Sequence, residues 1–218
     1  MGLENRADPT GELFRSPTRG LFTGNRGIIH DPDTKTRLGR RWTTKGWISC
    51  TLTLGNRRRD VWARNRAGNK TGWSELFFLD EVSALAAGHR PCFFCRRPEA
   101  SAFRNAWING GNTPIDAPTI DRVLHGERWL SRRTPPQILT QAGLQHLPDA
   151  TMIEADGRFY ALRDGEALSW DFSGYLSAES LLKFRGKQVR LVTPPSILKT
   201  LREGYQPHWH DSAEQTPS

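Results

Sequence analysis

Two Asp-Gly steps, Asp156-Gly157 and Asp164-Gly165, constrain the fold of this chain more than any other feature. Asp-Gly supplies the positive φ angles that a tight primed hairpin turn needs. With the steps so close together, the segments between them are too short for helices and read as strands. The spacing predicts a β-meander of strands at 151–155, 158–163 and 166–171. A further strand is predicted over 187–193. Thr193-Pro194-Pro195 then opens a last helix to Glu203, because proline suits the first helical turn. Pro135-Pro136 marks a boundary ahead of this region. Residues 135–210 are therefore expected to form a β-meander-plus-helix subdomain, with 211–218 a disordered tail.

Upstream the punctuation changes. Residues 1–36 carry Pro9, Gly11, Pro17, Gly20, Gly24, Gly27 and Pro32. That density of breakers predicts an irregular N-terminal arm. Within it Gly24-Asn25-Arg26-Gly27 reads as a turn, with an anion-binding bend as the alternative. GWISCTLTL (46–54) alternates as a strand, with Ile48, Cys50, Leu52 and Leu54 on one face and Trp47, Ser49, Thr51 and Thr53 on the other. Gly55-Asn56 turns into a return strand at 58–64, and GWSELFF (72–78) makes a third. The polar face of this three-stranded antiparallel sheet would carry Arg57, Arg58, Arg59, Arg64 and Arg66. Asp80 caps a short helix, 81–87, which Gly88 stops and Pro91 keeps from resuming. Pro98 opens a helix to about Trp107, and Asp116 with Pro118 opens another to about Leu130. The fold class is α+β.

Charge is concentrated in one block. Residues 37–104 hold 14 basic against 5 acidic residues, while the segments on either side are close to balanced. Of those 14, 12 are arginines, whose planar fork grips phosphate bidentately and stacks on bases. Aromatic residues interleave with them, among them Trp42, Trp47, Phe93 and Phe94, and a surface aromatic makes a platform for an unpaired base. Nucleic acid is the expected partner, DNA rather than RNA. No apolar run approaches the about 18 residues of a membrane span. The start, MGLENRADP, lacks the basic flank and apolar core of a secretory signal. Arg6 departs from the myristoylation pattern. The expectation is a cytoplasmic protein with no membrane partner.

Cys92-Phe93-Phe94-Cys95 is the sharpest chemical motif. Two thiolates at this spacing form a knuckle that holds one side of a Zn²⁺ ion. A redox pair is one alternative, and two inert cysteines are another. With only Cys50 besides, a disulfide scaffold is excluded. The basic region 37–134 is thus expected to be a zinc-knuckle domain of small sheet and flanking helices.

The segment FFLDEVSALAAGHRPCFFCRR (77–97) resembles the zinc-binding domain of the Ada alkylation-repair proteins and the Ada-like metal-binding modules attached to nucleases. Those run from an aromatic strand end through an Ala-rich helix to Gly-aromatic-Arg-Pro-Cys-x-x-Cys-Arg. The likeness covers Glu75 to Arg97. It implies that Cys92 and Cys95 are the second ligand pair of a zinc site, with Arg90, Arg96 and Arg97 beside DNA phosphates, in a protein of DNA repair or modification. The family's upstream cysteine pair is reduced here to Cys50, so methyl transfer to a thiolate is not carried over. The chain as a whole resembles a group of bacterial proteins of similar length.

Zinc takes about four ligands. Cys50, on the apolar face of its strand, is the candidate third, with a small core residue as the alternative. Candidates for the fourth are His89, His125, His208, His210 and His30. His125-Gly126-Glu127 supplies His-x-Glu, which together with the cysteine pair reproduces the residue set of zinc-dependent nucleobase deaminases, in reversed order. The alternative function is therefore a zinc-dependent hydrolase acting on a nucleobase or nucleoside, with Glu127 as acid/base. Asp116, Asp121 and Glu127 are a weaker candidate set for Mg²⁺ in a nuclease. A docking module for an acidic protein is a third possibility. No Walker loop, GxGxxG, GxSxG or HExxH is present.

Overall fold

The computed structural model describes residues 3–31, 33–54, 57–58, 73–112 and 116–215. Two six-stranded sheets enclose a layer of helices. The first sheet uses β1 (Glu4–Ala7), β2 (Leu13–Arg15), β3 (Phe22–Asn25), β4 (Ile48–Thr51), β7 (Leu76–Phe78) and β8 (Arg90–Pro91), in the order β2-β1-β7-β3-β4-β8. Between β4 and β7, β5 (Thr53–Leu54) and β6 (Arg57–Arg58) form a separate two-stranded ribbon. The second sheet uses β9 (Ile138–Leu139), β10 (Met152–Ala155), β11 (Arg158–Arg163), β12 (Glu166–Asp171), β13 (Gly174–Ser180) and β14 (Val189–Leu191), in the order β13-β12-β11-β10-β14-β9. The helices are α1 (Glu81–Ala86), α2 (Arg97–Asn109), α3 (Ala117–Ser131), α4 (Gln141–Gln145), α5 (Pro195–Arg202) and α6 (Ser212–Gln215), with a 3-10 turn at Leu181–Phe184. None of them is long and apolar enough to cross a membrane.

The α+β class and the meander agree with the expectation. Both Asp-Gly turns hold two consecutive positive φ angles, 51° and 73° at Asp156-Gly157 and 51° and 80° at Asp164-Gly165. Primed turns of this kind match the twist of the flanking strands. Alternate residues then bury opposite faces: Met152, Ala161 and Leu168 face the helix layer, while Ile153, Tyr160, Leu162 and Ala167 face α4 and the 3-10 turn.

Three features differ from expectation. Residues 1–36 are not an irregular arm; they supply β1, β2 and β3, half of the first sheet. The strands are three or four residues each, so Pro9, Gly11, Pro17, Gly20 and Gly27, which suggested an irregular arm, sit in the turns beside them, while Gly24 lies within β3. Gly20 shows why: a Cβ there would lie 1.9 Å from the Phe78 carbonyl oxygen. Second, the strands of 46–78 do not pair in sequence. β4 is antiparallel to β3 and parallel to β8, and β7 pairs with β3 and β1. The return strand is described only at Arg57–Arg58; its remainder lies outside the described residues. Third, the expected disordered tail begins with α6, whose Ala213 is buried.

The largest core draws on both sides of position 135. Val82, Leu85, Phe103, Trp107, Ile120 and Leu124 pack with Met152, Leu168, Ile197 and Tyr205. Helix α1 sits at the centre, because its opposite side, Ala84 and Ala87, packs on Phe22, Leu76 and Phe78 of the first sheet. A helix this short is marginal alone and owes its stability to packing on both flanks. Asp80 caps it, accepting from the Ser83 amide at 2.9 Å and from the Tyr175 hydroxyl at 2.8 Å. Gly88 (φ 78°) ends it in the left-handed conformation.

Candidate metal centre

The parallel pairing of β4 with β8 builds the site. Ile48 pairs with Arg90 and Ser49 with Pro91, so Cys50 and Cys92 follow as neighbours. The Cys92 amide donates to the Ser49 carbonyl at 3.0 Å, which fixes that register. The chain then turns sharply: the Arg96 amide returns to the Cys92 carbonyl at 2.9 Å and the Phe94 amide points at Cys92 Sγ at 3.4 Å. Pro98 opens α2 immediately afterwards.

The sulfurs of Cys50, Cys92 and Cys95 all lie within 4.8 Å of one another. A tetrahedral zinc with bonds of about 2.3 Å spaces its sulfurs about 3.8 Å apart, so the trio fits one ion. No disulfide joins them, and Cys50 and Cys92 are buried while Cys95 is partly open. The donor set is all thiolate, which suits a soft or borderline metal and not magnesium or calcium. Hydrogen bonds from Cys50 and Cys95 hold Cys92 well below the ordinary thiol range. The same sharing with Cys92 and Cys95, with burial added, pushes Cys50 far above it. A metal bound by the cluster would displace its thiol protons.

The histidines are elsewhere. All six are within the described residues, and none joins the cluster. His125 lies edge-on to Trp42, with ring centroids 5.3 Å apart. His89 is sealed between Trp47 and Phe78. His30 Nε2 meets the Glu4 carbonyl at 2.9 Å, and His210 Nδ1 meets the Ser212 hydroxyl. The backbone amide of His208 donates to Glu81. Glu127 is also outside the cluster: its Oε1 accepts from the Ser196 amide at 3.0 Å and hydroxyl at 2.6 Å, at the first turn of α5. The structure therefore does not bring His125 and Glu127 to the cysteine pair as the deaminase-like set requires. Asp121, part of the Mg²⁺ set, is taken up by Arg90.

The arginines divide into two groups. Arg90 is buried and bidentate on Asp121, at 2.8 Å for each bond. Arg96 is buried on Glu81 at 2.7 Å and also donates to the Ser49 hydroxyl. Both are internal ion pairs, not phosphate contacts. Arg97 is exposed on the first turn of α2. Arg57 and Arg58 lie in the β5–β6 ribbon, while Arg59, Arg64 and Arg66 fall outside the described residues. Phe94, at the tip of the cysteine turn, is 80% exposed.

Sequence reasoning missed the buried basic cluster behind this region. Arg26 and Arg128 each place a guanidinium carbon near the Trp47 ring, 4.1 and 4.0 Å from its centroid. Arg26 also donates from Nε to His89 Nε2 at 3.3 Å. The only sequence signal was a charged residue held between Asn25 and Gly27 in a glycine-rich step. Comparison with protein-family models, with curated proteins and with solved structures returns no match for the chain.

Proposed function

We propose that the protein is a zinc-ordered nucleic-acid-binding protein, acting on DNA in repair or modification. The observation that carries this reading is the exposed Phe94 at the tip of a three-cysteine cluster, followed by the exposed Arg97. A large apolar ring so open to solvent contributes little to packing, and one set at the tip of a knuckle is a stacking platform for an unpaired base. Zinc is the ion that all-thiolate knuckles most often take. The arginine-rich block supplies charge for phosphates, and the Ada-like motif of residues 77–97 points the same way.

The test pairs metal analysis of the full chain with fluorescence anisotropy on single-stranded DNA, duplex DNA and RNA. About one zinc per chain is expected, with affinity for single-stranded DNA falling by about 0.7 log unit per log unit of salt for each phosphate contacted. Phe94→Ala should cost about 1–3 kcal/mol of binding. Salt-independent binding, or none at low salt, overturns the reading.

A metal-dependent hydrolase remains as a second reading on one observation: the cluster supplies three protein ligands among the described residues, the number usual in a catalytic zinc site. Zinc-dependent release of product from a nucleoside panel, lost on Cys92→Ser, would favour it.

A further inference from the structure

We propose that a cavity between the two sheets binds a small organic oxyanion carrying an apolar body. The cavity has a volume of about 370 Å³ and is bounded by the β1–β2 turn, the C-terminal half of α3 and the β14–α5 connection. That size is within the range of small-ligand sites. None of the three cysteines lines it, so this inference is independent of the metal centre.

One end is basic. Arg41, Arg128 and Arg132 line it, and Arg26 stands behind them with no solvent exposure. Among the described residues Arg26 Nη2 has no hydrogen-bond partner. Gly11 (φ 78°) shows where it points. A Cβ on that glycine would lie 2.7 Å from Arg26 Nη2 and 3.2 Å from Arg41 Nη2. The two guanidiniums therefore close on Gly11, beside the cavity, and on the cavity wall itself Arg128 Nε also has no partner among the described residues. A buried cation without a counter-charge is costly, and Arg26 sits among others of its own sign.

The carboxylates nearby do not balance them. Glu12 is shared between Arg41 and Arg132. Asp8 is engaged with the Thr10 and Glu12 amides of its own turn, and burial raises its pKa. Glu127 is held by Ser196, and burial raises its pKa too. Asp121, near Arg128, is bidentate on Arg90, so three guanidiniums on the wall, with Arg26 behind them, share Glu12 and favour one more anion. A phosphate or carboxylate head matches the paired donors of arginine. The remaining wall is apolar, formed by Ala87, Leu130, Pro136, Val192 and Pro194, and would cover the ligand's body.

Calorimetric titration of the full chain separates the parts, using 1-naphthyl phosphate, 1-naphthoate, 1-naphthol and inorganic phosphate. Head and body together should bind more than about tenfold tighter than either alone, since each contributes at least one charged hydrogen bond or buried ring. The preference between 1-naphthyl phosphate and 1-naphthoate identifies the head. Arg132→Gln and Leu130→Asp alter exposed rim positions, and each should weaken the better probe about tenfold. Phe94→Ala should leave it unchanged, so failure here is separable from failure of the nucleic-acid reading. Absence of saturable binding by every probe, or equal binding by both rim variants and the parent protein, overturns the proposal.

Discussion

Arg96 donates to Glu81 across 2.7 Å while both side chains are almost wholly withdrawn from solvent, 2% and 1% exposed. Glu81 also accepts from the Tyr205 hydroxyl at 2.7 Å and the His208 amide at 2.9 Å. The carboxylate is therefore fully used, which is the condition under which a buried ion pair is tolerated. Arg96→Met leaves it short of its cation and should cost about 3–5 kcal/mol. Glu81→Gln keeps one acceptor oxygen, enough for His208 and Arg96, and turns its amide on the Tyr205 hydroxyl, which can rotate to accept; with Arg96 still held by Ser49 and the Phe22 ring it should cost less. Urea unfolding of the two variants gives the order.

The three sulfurs lie close enough to serve a metal ion as one donor set. Cys50→Ser should release the ion as Cys92→Ser does, although Cys50 is distant in sequence. The expected loss of affinity exceeds about 100-fold, the upper end for groups that merely orient a ligand. Competition with a chromophoric chelator measures it. Wild-type affinity in Cys50→Ser would reduce Cys50 to a packing residue.

His89 titrates against stability. Burial first, then Arg26, Arg128 and Arg41, hold its pKa well below the ordinary imidazole value. Above about pH 6.5 both folded and unfolded chains carry the neutral ring, and its contribution is fully present. As pH falls below that point the unfolded chain takes up the proton first, so stability is lost, at up to about 1.4 kcal/mol per pH unit. Denaturation free energies of wild type and His89→Asn between about pH 7 and 5.5 should differ in slope by nearly one proton. Parallel slopes would refute this.

Glu127 anchors α5. Glu127→Gln retains an acceptor for Ser196 and should change stability by less than about 1 kcal/mol. Glu127→Ala orphans the Ser196 amide at the helix start and should cost about 1–2 kcal/mol, as loss of a cap does. Metal content and DNA affinity should match wild type in both variants. A metal-replete Glu127→Gln protein that loses a zinc-dependent reaction would return this residue to a catalytic role.

Local chemistry was legible where one residue type dictates one geometry. Asp156-Gly157 and Asp164-Gly165 located three strands, Asp80 and Gly88 bounded α1, and Pro98 and Pro195 opened α2 and α5. The third cysteine of the cluster was also visible, because Cys50 fell on the apolar face of a clear alternation. Long-range pairing was not. Nothing local in Glu4–Ala7 announces a partner at Phe77, yet Arg6 pairs with it in parallel register. Arg90 and Arg96 illustrate the same limit: their type suggested phosphate, and only the positions of Asp121 and Glu81, supplied by distant segments, turned them inward. β13 escaped notice because Gly174 and Ser177 look like loop residues until Tyr175 reaches Asp80.

A single peptide link separates Cys95 from Arg96, and the carboxylate that Arg96 grips belongs to the first residue of the helix lodged between the sheets. Loss of an ion held by the three sulfurs would therefore be transmitted inward along that lever, loosening the molecule's interior and not only its rim. The ion and the hydrophobic interior would melt as one cooperative unit.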